Sequence, residues 1–132
     1  MLFRSLCHPA QQAFFTGQIE GLTDAPVSMP DKDCASCHGE PPDIVIPPSS
    51  MCVLCHEPGY DEKLGQWRSE SDELRKELEE ALAAAAPAAD PQALASARRA
   101  LALVGDDGSR GVHNIGLSER LLSEALARLA TR

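Results

Sequence analysis

The sequence predicts a mainly α protein: a loop-rich N-terminal half, then a helical hairpin and a final helix, with little or no sheet. Three observations point to it. Residues 61–132 are rich in Ala, Leu, Glu and Arg, with apolar residues recurring every three or four positions. Residues 1–60 hold eight of the ten prolines and all three phenylalanines, but few large apolar residues. A short Pro87–Pro91 link then divides two helical patterns, which makes them antiparallel neighbours.

Each element has its own local signal. Residues 9–16 suit one short helix, opened by Pro9 and ended by Gly17. Proline pairs at 41–42 and 47–48 flank Ile44, Val45 and Ile46, an extended, polyproline-like bridge. Leu64, Trp67, Leu74, Leu78 and Ala81 share one helical face, and Pro87 stops that helix. Asp90 reads as an N-cap with Pro91 at the first helical position. Leu94, Ala97, Leu101 and Val104 form the next stripe, Gly105–Gly111 a turn, and Leu117, Leu121, Leu122, Ala125 and Leu129 the last stripe. Such Leu/Ala stripes are packing faces, and the Glu-rich stretch at 70–80 is a solvated one.

At 132 residues the chain is one domain or less. A net charge of −8 argues against a nucleic-acid partner, because phosphates need basic groups. No run of eighteen apolar residues is present, so no transmembrane segment is expected. The proline-rich half has too little apolar surface to offset the entropy of ordering it, so its core must come from something else.

Two motifs supply that something. Cys34-Ala35-Ser36-Cys37-His38 and Cys52-Val53-Leu54-Cys55-His56 are both CxxCH. Two cysteines three apart can each add to one vinyl group of a haem, and the following His then coordinates the iron. A zinc ribbon is the competing reading, since two CxxC pairs separated by fourteen residues could give four thiolates to one zinc. Zinc does not need a His after either pair. With four His in the chain, two such coincidences have odds on the order of one in a thousand. Two disulfides are weaker still, because a CxxC loop staples little.

Two covalent haems c are therefore expected, on residues 1–60, with residues 61–132 packing on them as one module. Cys34, Cys37, Cys52 and Cys55 would attach them. His38 and His56 would be the proximal ligands. His8 and His113 remain for two distal positions, so the His count matches bis-His ligation of both irons; Met29 and Met51 are the alternative distal donors. Chain proximity pairs His8 with the haem of His38 and His113 with the haem of His56. Cys7 lacks a cysteine three residues before it, where Arg4 stands, and is read as a bystander.

These residues resemble the multihaem cytochromes c grouped as cytochrome c3-like or doubled-CXXCH proteins, related to the nitrite reductase and hydroxylamine oxidoreductase superfamily. Three segments carry the resemblance: His8-Pro9-Ala10-Gln11-Gln12 with Phe15, Gly17 and Met29-Pro30; the two CxxCH motifs; and Asp107–Asn114 with the helix after it. It implies that His8 is a distal ligand without cysteines of its own, and that His113, in Gly-x-His-Asn before a helix, is another. Family members often carry four or more haems, whereas this chain has two motifs.

The function expected is electron transfer, not enzymatic turnover, because two bis-His irons leave no open position. A redox partner, or a larger multihaem complex, would be met through acidic surface steering towards basic patches. Covalent haem attachment takes place outside the cytoplasm, so a periplasmic or other extracytoplasmic location is expected. Residues 1–6 are too short for a secretory signal, so a trimmed start, or a fragment of a longer multihaem chain, is also expected. The other readings are a haem enzyme or gas sensor with one open iron, His8 being the ligand to be absent, and a zinc-ribbon interaction protein.

Overall fold

The computed structural model describes residues 8–22, 24, 25, 27–85 and 87–131. Cys7 lies outside them. Five α-helices and one 3-10 helix are found among the described residues, and no strand, so the chain is mainly α. In order they are α1 (Pro9–Thr16), α2 (Cys34–His38), the 3-10 helix (Ser49–Leu54), α3 (Tyr60–Ala84), α4 (Pro91–Asp107) and α5 (Ile115–Ala130).

The helix ends follow local chemistry. Gly17 stops α1 at φ 70°, a left-handed conformation that costs glycine little. α3 ends at Ala84, ahead of Pro87. The Asp90 carboxylate accepts from the N–H groups of Gln92 (3.2 Å) and Ala93 (3.3 Å), with Pro91 beginning α4. The Asn114 side chain caps α5, accepting from the Leu117 N–H at 3.2 Å.

One boundary departs from the sequence expectation. α4 runs through Gly105 to Asp107 and stops on Gly108, at φ 71°. The turn is therefore residues 108–114 rather than Gly105–Gly111. A mid-helix glycine costs only about 1 kcal/mol against alanine, and the packed face of α4 offsets it.

α5 packs on both α3 and α4, α3 packs on α4, and α1 lies against α4. Phe14, Leu78, Ala97, Leu117 and Leu122 are fully buried at the centre. The inward face of α4 is Ala93, Ala97, Ala100, Val104 and Asp107, whereas Leu94 and Leu101 are half-buried beside it. Alanines along that seam let a neighbouring helix approach closely, and the leucines close its sides.

The N-terminal segment joins this core. Phe14 and Ile19 are buried in it, with Leu22 and Ala25 alongside. Burying Phe14 contributes about 1.5–3 kcal/mol. Hydrogen bonds across the sequence fix the attachment. Gln11 Nε2 donates to the carbonyls of Asp106 (3.0 Å) and Asp107 (3.1 Å), which α4 leaves without intrahelical donors. Asn114 Nδ2 donates to the Phe14 carbonyl (3.1 Å), and Arg99 donates to the Glu20 carbonyl (2.6 Å). Among the described residues, the cluster has no member between Ala25 and Leu74. No helix of the described residues is long and apolar enough to cross a membrane.

Candidate haem centre

The first CxxCH motif is a single capped turn. Asp33 Oδ1 accepts from the Ser36 N–H and the Ser36 hydroxyl, each at 2.9 Å, and the Asp33 N–H donates back to Ser36 Oγ at 3.4 Å. Gly39 ends the turn at φ 79°, where a Cβ would lie 2.8 Å from the Asp43 carbonyl oxygen. The chain folds back there. The Val45 N–H donates to the His38 carbonyl at 2.8 Å, and His38 Nδ1 lies 2.9 Å from the Val45 carbonyl. A carbonyl only accepts, so Nδ1 carries the proton and Nε2 keeps its lone pair for a metal.

His113 is prepared in the same way from the far end of the chain. Asp107, at the end of α4, is buried, with its side chain 1% exposed. Its Oδ2 accepts from the Ser109 N–H (3.2 Å) and the Ser109 hydroxyl. Its Oδ1 is 2.6 Å from His113 Nδ1, and the His113 N–H donates to Ser109 Oγ at 3.1 Å. Nε2 of His113 is again the nitrogen left for a metal.

The His113 loop sits close on α3. Gly111 is buried at φ 92°; a Cβ there would be 2.8 Å from Ile115 Cδ1 and 3.5 Å from Ser71 Oγ. Ser71 is the small, buried member of the inward stripe of α3, and it makes room for the loop. Arg110 donates to both carboxylate oxygens of Asp72 at the surface, which raises the guanidinium pKa.

The fold thus brings His113 to His38, with ring centroids 6.1 Å apart and planes at 51°. With metal–imidazole bonds of about 2 Å and about 1 Å from nitrogen to ring centre, imidazoles on opposite sides of one metal stand roughly 6 Å apart. Two imidazoles holding one metal between them could rotate about their bonds to it, so a 51° tilt would fit such a pair. This partner differs from the one chain proximity suggests, which set His113 against His56. The reason is topological: the turn before α5 is delivered to the first motif by the bundle, not by sequence distance.

The second motif is built differently. It spans the end of the 3-10 helix, which packs on α3. The N–H groups of Cys55 (3.2 Å) and His56 (2.9 Å) both donate to the Cys52 carbonyl. The His56 ring stacks on Tyr60, with centroids 3.9 Å apart and planes at 6°, and Tyr60 meets Trp67 edge-on at 5.4 Å. His8 is exposed at the N-cap position of α1 and makes no cap bond with its side chain. Among the described residues its ring touches neither His38 nor His56.

The two motifs approach one another. Burial pushes the Cys37 thiol up, and nearby Cys52, Cys55 and Cys34 push it further, while Lys32 acts the other way. Cys34, Cys37, Cys52 and Cys55 are all free thiols. Among the described residues no three His, Cys, Asp or Glu side chains converge as a tetrahedral zinc site requires. The exposed large apolar residues Val27, Ile44, Val45, Ile46, Val53 and Leu54 all fall around the motifs, with Ile46 91% and Leu54 78% exposed. A surface of that kind suits a large flat apolar group.

Sequence reasoning missed Asp107, Ser71 and the Val45 carbonyl. Asp107-Gly108-Ser109 carries the pattern of an Asx turn, which could have identified Asp107. A serine within a leucine stripe was the only mark of Ser71. Comparisons with protein-family models, curated proteins and solved structures find no match to the chain.

Proposed function

We propose that this chain is a c-type dihaem module that transfers electrons. The observation that carries the proposal is the His38–His113 pair, each ring held by Nδ1 and the two 6.1 Å apart. Bound haem would supply one-electron exchange between ferric and ferrous iron. Cys34 and Cys37 would attach one group, with His38 and His113 as its axial ligands; Cys52 and Cys55 would attach the other, with His56 as proximal ligand and His8 as distal ligand.

In this proposal the chain orients and shields rather than reacts. Two His on one iron leave no position for substrate and favour a lower potential than a His/Met set. Ile44–Ile46 and Leu54 would lie against apolar faces. The net charge of −8 suits a redox partner with a basic docking patch. Haem attachment requires an extracytoplasmic location, and a larger multihaem complex is a natural setting.

A pyridine haemochrome spectrum tests this, on chain exported with a periplasmic leader and cytochrome c maturation proteins. Two c-type haems per chain are expected. A colourless product despite export would overturn the proposal, and a zinc assay would follow. One observation favours a second reading: the His56 ring stacks on Tyr60, and the His8 ring does not touch it. If the second iron lacks a distal ligand, the module is a haem enzyme or gas sensor. Carbon monoxide binding by one of two haems in the unaltered chain would support that reading, and no binding would dismiss it.

A further inference from the structure

The two His of the 6.1 Å pair are anchored by unlike acceptors: His38 by the neutral Val45 carbonyl, His113 by the Asp107 carboxylate. We propose that Asp107 is a positioning residue that lowers the reduction potential of the haem held between His38 and His113. This rests on the dihaem proposal. Leaving a carboxylate buried is costly unless donors converge on it. Asp107 has three such groups converging on it: the Ser109 N–H, the Ser109 hydroxyl and His113 Nδ1. The fold thus sets a carboxylate inside it, directly behind one imidazole. A carboxylate draws on the Nδ1 proton more strongly than a carbonyl does and moves electron density towards Nε2. Reduction adds one electron to the iron. A fixed negative charge in a low-dielectric site opposes that addition and favours the ferric form.

Ser109 gives a control of opposite sign. Its hydroxyl donates to Oδ2 of the same carboxylate and so draws off part of the charge that would otherwise face His113. The experiment uses the full chain with both haems, counted by haemochrome. Midpoint potentials are measured by spectroelectrochemistry and ferric g-values by electron paramagnetic resonance, for D107N and S109A. In D107N one midpoint should rise by at least a tenfold change in the reduction equilibrium, about 59 mV for one electron, with a change in one set of g-values. In S109A the same midpoint should fall. Unchanged midpoints in D107N, or shifts of the same sign in both variants, would overturn the assignment. If D107N loses its haems, S109A decides alone: a lowered midpoint supports it, and an unchanged or raised one overturns it. A wild-type chain without haem would instead overturn the dihaem proposal.

Discussion

Replacing Asn114 by alanine should be among the most costly single changes outside the apolar core. Asn114 is buried, 3% exposed, and its side chain holds two elements at once. Its oxygen caps α5 through the Leu117 N–H, and its nitrogen tethers the Phe14 carbonyl of α1. Loss of an N-cap costs about 1 kcal/mol. The Phe14 carbonyl keeps the Gly17 N–H (3.2 Å), so losing the Asn114 bond costs about 0.5–1.5 kcal/mol. Together N114A should lose about 1.5–2.5 kcal/mol. N114S retains a capping hydroxyl but is too short to hold Phe14, so it should recover about 1 kcal/mol of that loss. Urea unfolding at constant m-value measures both variants. A loss below about 0.5 kcal/mol in N114A would refute the reasoning, because surface substitutions commonly cost that little. Equal losses in N114A and N114S would remove the capping share from it.

Other outcomes follow from the same geometry. G111A should cost about 1–2 kcal/mol from its left-handed backbone; Ile115 Cδ1, the end of a flexible side chain, can move aside, and a thermal melt as stable as wild type would count against the strained turn. H113A in the haem-loaded chain should make one haem reactive to carbon monoxide, read as a difference spectrum, and no new adduct would remove His113 from the ligand set. In the chain without haem, Cys37 should be alkylated by iodoacetamide more slowly at pH 8 than exposed Cys34 and Cys55. Its folded-state pKa is raised, so less thiolate forms until the pH climbs further; equal rates in peptide mapping would contradict this. L122A should cost about 2–5 kcal/mol by opening a cavity at a fully buried site, measured by urea unfolding.

Much of the helical frame was legible because local chemistry marks it. Pro9 and Gly17 bracket α1, and Asp90-Pro91 opens α4, as their side chains and backbones require. The facing of α4 was less legible. Leucine periodicity drew attention to Leu94 and Leu101, yet the seam runs along Ala93, Ala97 and Ala100. Alanine adds little to an apolar pattern, but its small size decides where helices meet. Gly105 misled in another way, since a helix absorbs a single glycine when its packed face is strong.

At the site, the sequence marks each motif but not its neighbours. His113 lies nearer in sequence to His56 than to His38, yet the fold sets it beside His38. That placement depends on α5 packing, on the Gly111 approach to Ser71 and on the Asp107 anchor. None of these follows from spacing. Phe14 and Ile19 were likewise hidden in a half that looked coreless, because their partners lie about a hundred residues away.

The gap in the apolar cluster between Ala25 and Leu74 bears on how the molecule is made. The bundle and the segment from α1 to Ala25 close on one another without help from either cysteine motif. The chain can therefore complete its helical frame first, with the first motif carried between two fixed ends and the 3-10 helix of the second resting on α3. Under the dihaem proposal, haem insertion would then act on a tethered segment rather than on an unfolded chain. If the dihaem proposal holds, frame first and cofactor second is the order of biogenesis that this gap in the cluster allows.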